Sequence, residues 1–203
     1  MFELISSGGW LMVPIMLCSV ISVAIIIERL WTLKKDHVAP ADLFADIEHL
    51  LEQHQLTEDR LEELEHSSYL GRILVAGLCV SNQTPAEIRR SIEEAGRHVV
   101  HELEKYLNAL GTIAAITPLL GLLGTVIGMI KVFAAITAVG VGNPQILAGG
   151  ISEALITTAA GLFVGIPSLM FHRYFKGKIN ELTVDMEQHA LRLLNLMERS
   201  QKQ

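Results

Sequence analysis

The sequence predicts an all-α membrane protein with three transmembrane helices, two of which extend far into the cytoplasm. Half of the 203 residues are hydrophobic and the mean hydropathy is +0.40. An average this apolar needs long uninterrupted runs, and three are present. Residues 10–27 carry no charge, 109–139 carry Lys131 alone, and 151–170 carry Glu153 alone. Each is near or above the roughly 18–20 residues that cross a bilayer's hydrocarbon. Their apolarity is continuous rather than alternating, which selects helices over barrel strands.

The first run has no basic stretch ahead of it and no small-residue cleavage site behind it, so it reads as a retained span rather than a signal peptide. Lys and Arg then set the orientation. None precedes the first run, and Arg29, Lys34 and Lys35 follow it directly. The connection between the second and third runs has none, whereas Arg173, Lys176 and Lys178 follow the third. The expected layout is an outer N-terminus (1–9), a first span (10–27) and a cytoplasmic helical region (28–108). A second span (109–139), an outer loop (140–149), a third span (150–172) and a cytoplasmic C-terminal helix (173–203) complete it.

In the polar region, Leu43, Ile47, Leu50 and Leu51 fall at helical spacing, and Thr57 is placed to cap a second short helix. The stretch "SYLGRILVAGLCV" is apolar but too short and interrupted to span, so it belongs inside a helical bundle. Thr84, Pro85 and Glu87 form a helix start with a capping box. Ile88, Ile92, Ala95, Val99, Leu103, Leu107 and Leu110 follow at three- and four-residue steps, which predicts one unbroken helix over 85–139. After the third span, Ile179, Leu182, Met186, His189, Leu193 and Met197 continue a stripe that needs a partner surface.

Several function classes find no support. The net charge of −6 lies mostly in the polar parts and argues against nucleic acid. Cys18 and Cys79 sit in different environments and suggest no disulfide. His98 and His101 share a helix face, but no third metal ligand is spaced to join them. There is no phosphate-cradling glycine loop, nucleophile elbow or paired carboxylates in an apolar setting. The chain reads as a non-enzyme without a cofactor.

What remains is polar chemistry inside the spans. Gly121, Gly124 and Gly128 form a small-residue stripe that lets helix backbones approach closely. Thr117 and Thr125 lie on the same span, and Pro118 frees a carbonyl about one turn before it. A membrane threonine often does no more than bond its own helix. The midpoints of spans two and three fall near residues 124 and 160, which puts Thr125 and Thr158 at similar depth. Glu153, with Thr157 one turn further in, is a functional candidate because a carboxylate in the membrane is costly; the alternative is an interfacial Glu favoured by the helix dipole. Lys131 can snorkel or pair with Glu153. Threonine hydroxyls do not titrate near neutral pH. A proton crossing here therefore lacks a central carboxylate, which would have to come from another chain.

The strings "LGTIAAITPLLGLLGTVIGMI" and "ISEALITTAAGLFVGIP", with "GGWLMVPIMLCSVISVAIIIERLW" in the first span, resemble the MotA/TolQ/ExbB proton channel family, most closely its ExbB and TolQ branch. The resemblance covers about 10–35 and 105–175. It implies a homopentamer of three-span subunits in a Gram-negative inner membrane, driven by the proton gradient rather than a cofactor. It also implies a dimer of a one-span ExbD- or TolR-like partner in the pore, whose membrane Asp is the titrating group, and a TonB- or TolA-like protein that carries the work into the envelope. Thr125 and Thr158 match family positions that line the pore beside that Asp, Glu153 matches a polar pore residue, and Pro118 and Pro167 match family prolines. Lys131 departs from the uncharged or weakly basic residue usual there. The competing readings are a non-conducting membrane scaffold and a flagellar-type, MotA-like stator subunit.

Overall fold

A computed structural model describes residues 8–52, 57–81, 83–140 and 144–200. The described elements are α1 (Met12–Thr32), α2 (Lys35–Val38), α3 (Leu43–Glu52), α4 (Glu58–Ser67), α5 (Tyr69–Leu78), α6 (Pro85–Leu103), α7 (Leu107–Val139) and α8 (Pro144–Ser200). No strand occurs among the described residues. Three helical stretches, Met12–Thr32, Pro85–Ala138 and Leu147–Met197, are long and apolar enough to cross a membrane.

The chain divides into two compact units. The first holds residues up to Glu28 together with Tyr106–Tyr174, and so most of α1, all of α7 and the first part of α8. The second holds Arg29–Lys105 and the residues from Phe175 onward.

The second unit is built on the faces that the periodicity marked. Ile88, Ile92, Val99 and Leu103 of α6 are buried, as are Ile179, Leu182, Met186, Leu193 and Met197 of α8. Helix α5, the apolar stretch too short to span, buries seven of its ten residues. Each fully buried aliphatic side chain contributes about 1.5–3 kcal/mol of transfer free energy. His189 is turned to its own helix, its Nδ1 2.8 Å from the Asp185 carbonyl oxygen, and its ring lies edge-on to Phe44.

The start of α6 forms as its sequence dictates. The Glu87 amide donates to Thr84 Oγ1, and the Thr84 amide donates to Glu87 Oε2, which closes the capping box with Pro85 in the first turn. The Thr84 hydroxyl, which donates to Glu87 Oε2 at 2.7 Å, and after it the Thr84 amide hold the Glu87 carboxyl below its ordinary pKa. Thr57 does not cap: it occupies the N-cap position of α4 with extended backbone but makes no side-chain cap bond.

The expected single helix over 85–139 is divided. Helix α6 ends at Leu103, a turn covers Glu104–Tyr106, and α7 starts at Leu107. Tyr106 lies in the left-handed region (φ 66°), an uncommon conformation for a residue with a Cβ. The carbonyls just before this turn are held by a residue remote in sequence. Arg29 of α1, 3% exposed, donates from Nη1 to the Leu103 carbonyl at 2.9 Å and to the Glu102 carbonyl at 3.5 Å. A buried guanidinium thus satisfies the carbonyl that an amide of the next turn would otherwise take. Glu102 is also fixed from α5, accepting two hydrogen bonds from Arg72 at 2.6 and 3.1 Å. Those bonds lower the Glu102 pKa, with the Arg72 hydrogen bond as the main cause, and raise that of Arg72.

Arg29→Met should therefore unlock the end of α6. Losing a charged hydrogen bond to a buried carbonyl costs about 1.5–3 kcal/mol. Amide hydrogen exchange should speed up over the last turn of α6 while α4 stays unchanged.

Candidate functional site

Within the first unit, α7 and α8 run antiparallel and meet along glycine. A Cβ on Gly128 would lie 2.7 Å from the Ala154 Cβ, one on Gly124 2.5 Å from the Thr157 methyl, and one on Gly121 3.0 Å from the Thr158 Cα. From the other side, a Cβ on Gly161 would lie 2.5 Å from the Thr117 carbonyl oxygen, and one on Gly165 2.6 Å from the Pro118 ring. Real Cβ atoms do not approach this closely, so the backbones pack at a separation only glycine permits. The stripe of Gly121, Gly124 and Gly128 is thus half of a two-sided seam, and Pro118 fits a notch left by Gly165. Pro118 and Pro167 both lie inside continuous helices.

The threonines divide by what their hydroxyls do. Thr117, fully buried, donates to the Ile113 carbonyl on its own helix at 2.8 Å. Thr125, half-buried, donates to the Leu122 carbonyl at 2.6 Å. Thr158, also half-buried, donates across the seam to the Gly121 carbonyl at 2.8 Å. It is the hydroxyl in this group that ties α8 to α7. Thr125 and Thr158 are not bonded to each other; Thr158 stands level with Gly121, and Thr125 lies four residues, about 6 Å, along α7.

The remaining polar groups gather further along the pair. Lys131 Nζ lies 2.6 Å from Glu153 Oε1, with side-chain exposures of 52% and 23%. Gly9, at φ +69°, packs on the same carboxylate so closely that any Cβ would collide with Glu153 Oε1. One turn along, Thr157, 1% exposed, donates to the Glu153 carbonyl at 2.7 Å and to the Gly8 carbonyl at 2.9 Å. The turn ahead of α1 is thus fastened to α8 at two adjacent glycines. Of the two options the sequence left to Lys131, snorkelling or pairing with Glu153, the structure shows the pair; the part played by Gly8 and Gly9 was not legible.

Two further groups were not singled out by sequence reasoning. Ser22 of α1 and Ser168 of α8 are both buried, with their hydroxyls 2.6 Å apart. Ser168 donates to the Val164 carbonyl at 2.7 Å, so Ser22 is the donor to Ser168. The two serine hydroxyls of the apolar first span, Ser19 and Ser22, each needing a partner, were the available signal. His172 packs against Gly111, where a Cβ would lie 3.0 Å from its Nε2.

Three apolar helices, a seam closed by glycine and an ion pair inside the apolar runs mark a multi-pass membrane protein with polar groups set within its spans. The profile of the MotA/TolQ/ExbB proton channel family matches residues 55–188, and the chain belongs to that family. It is 32% identical over 174 residues to putative biopolymer transport protein ExbB-like 3 of Synechocystis, covering 84% of this chain and 82% of that protein. It is 31% identical over 192 residues to biopolymer transport protein exbB1 of Vibrio cholerae, covering 90% and 82%. Tol-Pal system protein TolQ of Haemophilus influenzae is 35% identical over 96 residues, covering 47% and 42%. The similarity lies with the ExbB and TolQ branch that the signature strings indicated.

Two tests follow from the packing. Gly161→Ala drives a methyl into the Thr117 carbonyl and should cost about 1–3 kcal/mol. Gly149→Ala, with nothing within 4 Å of the new methyl, should leave the thermal midpoint in detergent unchanged or slightly raised. For the ion pair, Lys131→Glu and Glu153→Lys should each lower that midpoint. The swapped double variant should recover most of the loss, with a coupling energy of about 0.5–3 kcal/mol.

Proposed function

We propose that the chain is the ring-forming subunit of a proton-motive-force-driven inner-membrane complex, ExbB- or TolQ-like, that energises TonB- or Tol-type transport across the cell envelope. One observation carries the reading. The charges inside the three apolar runs are Lys131 and Glu153, and they neutralise each other. The hydroxyls of Thr117, Thr125, Thr157 and Thr158 can solvate a proton but do not titrate near neutral pH. A titrating carboxyl at their level has to be supplied by a second protein, which the family's partner, an ExbD- or TolR-like one-span dimer with a membrane Asp, would provide.

The rest of the arrangement fits this role. Leu17 and Val20 of α1, Leu122 and Phe133 of α7, and Leu155 and Phe163 of α8 are exposed on the single chain. Apolar surface of this kind needs lipid or neighbouring copies to cover it. A homopentamer supplies both, with the N-terminus periplasmic, the C-terminus cytoplasmic, and Thr125 and Thr158 turned to a central pore. Glu153 and Thr157, held with Lys131 near the outer end, form the vestibule, and Thr117 continues the polar path inward. A TonB- or TolA-like protein receives the work.

In cells whose own copy is deleted, Thr158→Ala and Glu153→Ala, expressed at normal level, should abolish proton-dependent uptake or envelope integrity. Thr158→Ser, which keeps the hydroxyl, should retain it. Wild-type behaviour of both alanine variants would overturn the pore-lining assignment.

A further inference from the structure

The turn ahead of α1 lies on α8 at one carboxylate. Gly8 is buried. Its carbonyl accepts from the Thr157 hydroxyl at 2.9 Å, and a Cβ on it would lie 3.5 Å from Ile156 Cγ2. Gly9 presses on Glu153. A Cβ there would collide with Oε1, the same oxygen that takes the Lys131 ammonium at 2.6 Å, and would lie 3.1 Å from Cδ. With φ at +69°, position 9 favours glycine on backbone grounds as well. Lys131 thus meets the carboxylate from α7, the glycine turn meets it from the start of α1, and the Glu153 side chain is 23% exposed.

We infer that Gly8 and Gly9 form a strap that closes access to the Glu153 carboxylate and lifts without disturbing the helices beneath it. Two features let it lift. The Thr157 hydroxyl divides its proton between the Gly8 carbonyl and, at 2.7 Å, the Glu153 carbonyl of its own helix. When the strap leaves, the hydroxyl keeps the second bond, so no donor is orphaned in the apolar run. The freed Gly8 carbonyl turns to water. The second feature is the anchor directly after the turn. Leu11 and Met12 are 4% and 6% exposed, so α1 keeps its seat while the turn moves. An element held by one shared hydrogen bond and a backbone contact belongs to the low-stability end of a structure, from which moving parts are drawn.

The consequence rests on the proposed function, from which Glu153 takes its place at the outer vestibule. There the strap makes the carboxylate reachable intermittently. With the strap down, Lys131 is its partner and water is kept off; with the strap up, Oε1 is open beside the ammonium. Only glycine at position 9 permits the closed state, because any side chain would displace the oxygen that pairs with Lys131.

The test uses the purified full chain in lipid nanodiscs and a water-soluble carbodiimide, which consumes the carboxyl groups it can reach. Loss of free Glu153 is followed by peptide mass spectrometry, counting the adduct and the amide it forms with Lys131 together. Gly9→Ala, which cannot seat on Oε1, should speed the loss about tenfold. Thr157→Val, which cannot hold Gly8, should speed it about three- to tenfold. Gly149→Ala, whose methyl meets open space, should match the unaltered chain. A disulfide between Gly8→Cys and Ile156→Cys should hold the strap down and slow the loss until a reductant restores it; Met12, whose flexible side chain lines the Gly8 position, can move aside. Loss at one rate in all these chains, or a rate indifferent to the disulfide, sinks the inference. The disulfide arm stands even where Gly9→Ala does not fold. The labelling needs no transport, so the strap and the proposed function can fail separately.

Discussion

The contact between α7 and α8 governs the rest of the membrane-spanning unit. Glycines on both helices bring the backbones close enough for a hydroxyl on one to reach a carbonyl on the other. Between helices in lipid there is no hydrophobic driving force; close packing and interhelical hydrogen bonds hold the pair. The seam therefore provides attraction and register together. A slide of one residue would bring side chains where only hydrogen atoms fit, and it would separate Thr158 from Gly121.

The same seam accounts for the polar groups placed on it. Thr158 is not a free hydroxyl, because it is the cross-helix tie. Thr157 serves two elements, its own helix and the turn before α1. Glu153 is set by three neighbours: Lys131 on the facing helix, Gly9 packed on its carboxylate, and Thr157 bonded to its carbonyl. Several packing and hydrogen-bonding roles converge on the same side chains. In a membrane helix that economy is expected, since every polar group must find a partner whatever else it does.

Much of this was legible in the sequence. The three spans, the capping box at Thr84 and the buried faces of α6 and α8 follow from periodicity and local chemistry, which depend on neighbours three or four residues away. Counting depth along the two helices left Lys131 either to snorkel or to pair with Glu153, and the structure shows the pair. What stayed hidden depends on residues far apart. The turn at Glu104–Tyr106 contains no glycine or proline to announce it; the carbonyl just before it, that of Leu103, is held by Arg29, 74 residues before Leu103. Thr57 had the residue type of a cap without the bond. Ser22 and Ser168, 146 residues apart, were each unremarkable alone. The glycines of α8 were visible as letters, but their fit to Thr117 and Pro118 required the helix register.

Arg29 has a consequence for biogenesis. It leaves the ribosome directly after the first span, while the carbonyl it will bind is still more than 70 residues from being made. The end of α6 cannot close until Leu103 has emerged, so this bond forms late and over a long chain separation. One arginine at the end of α1 thus caps a helix that begins more than 50 residues later in the chain, and its burial marks the assembly of the second unit.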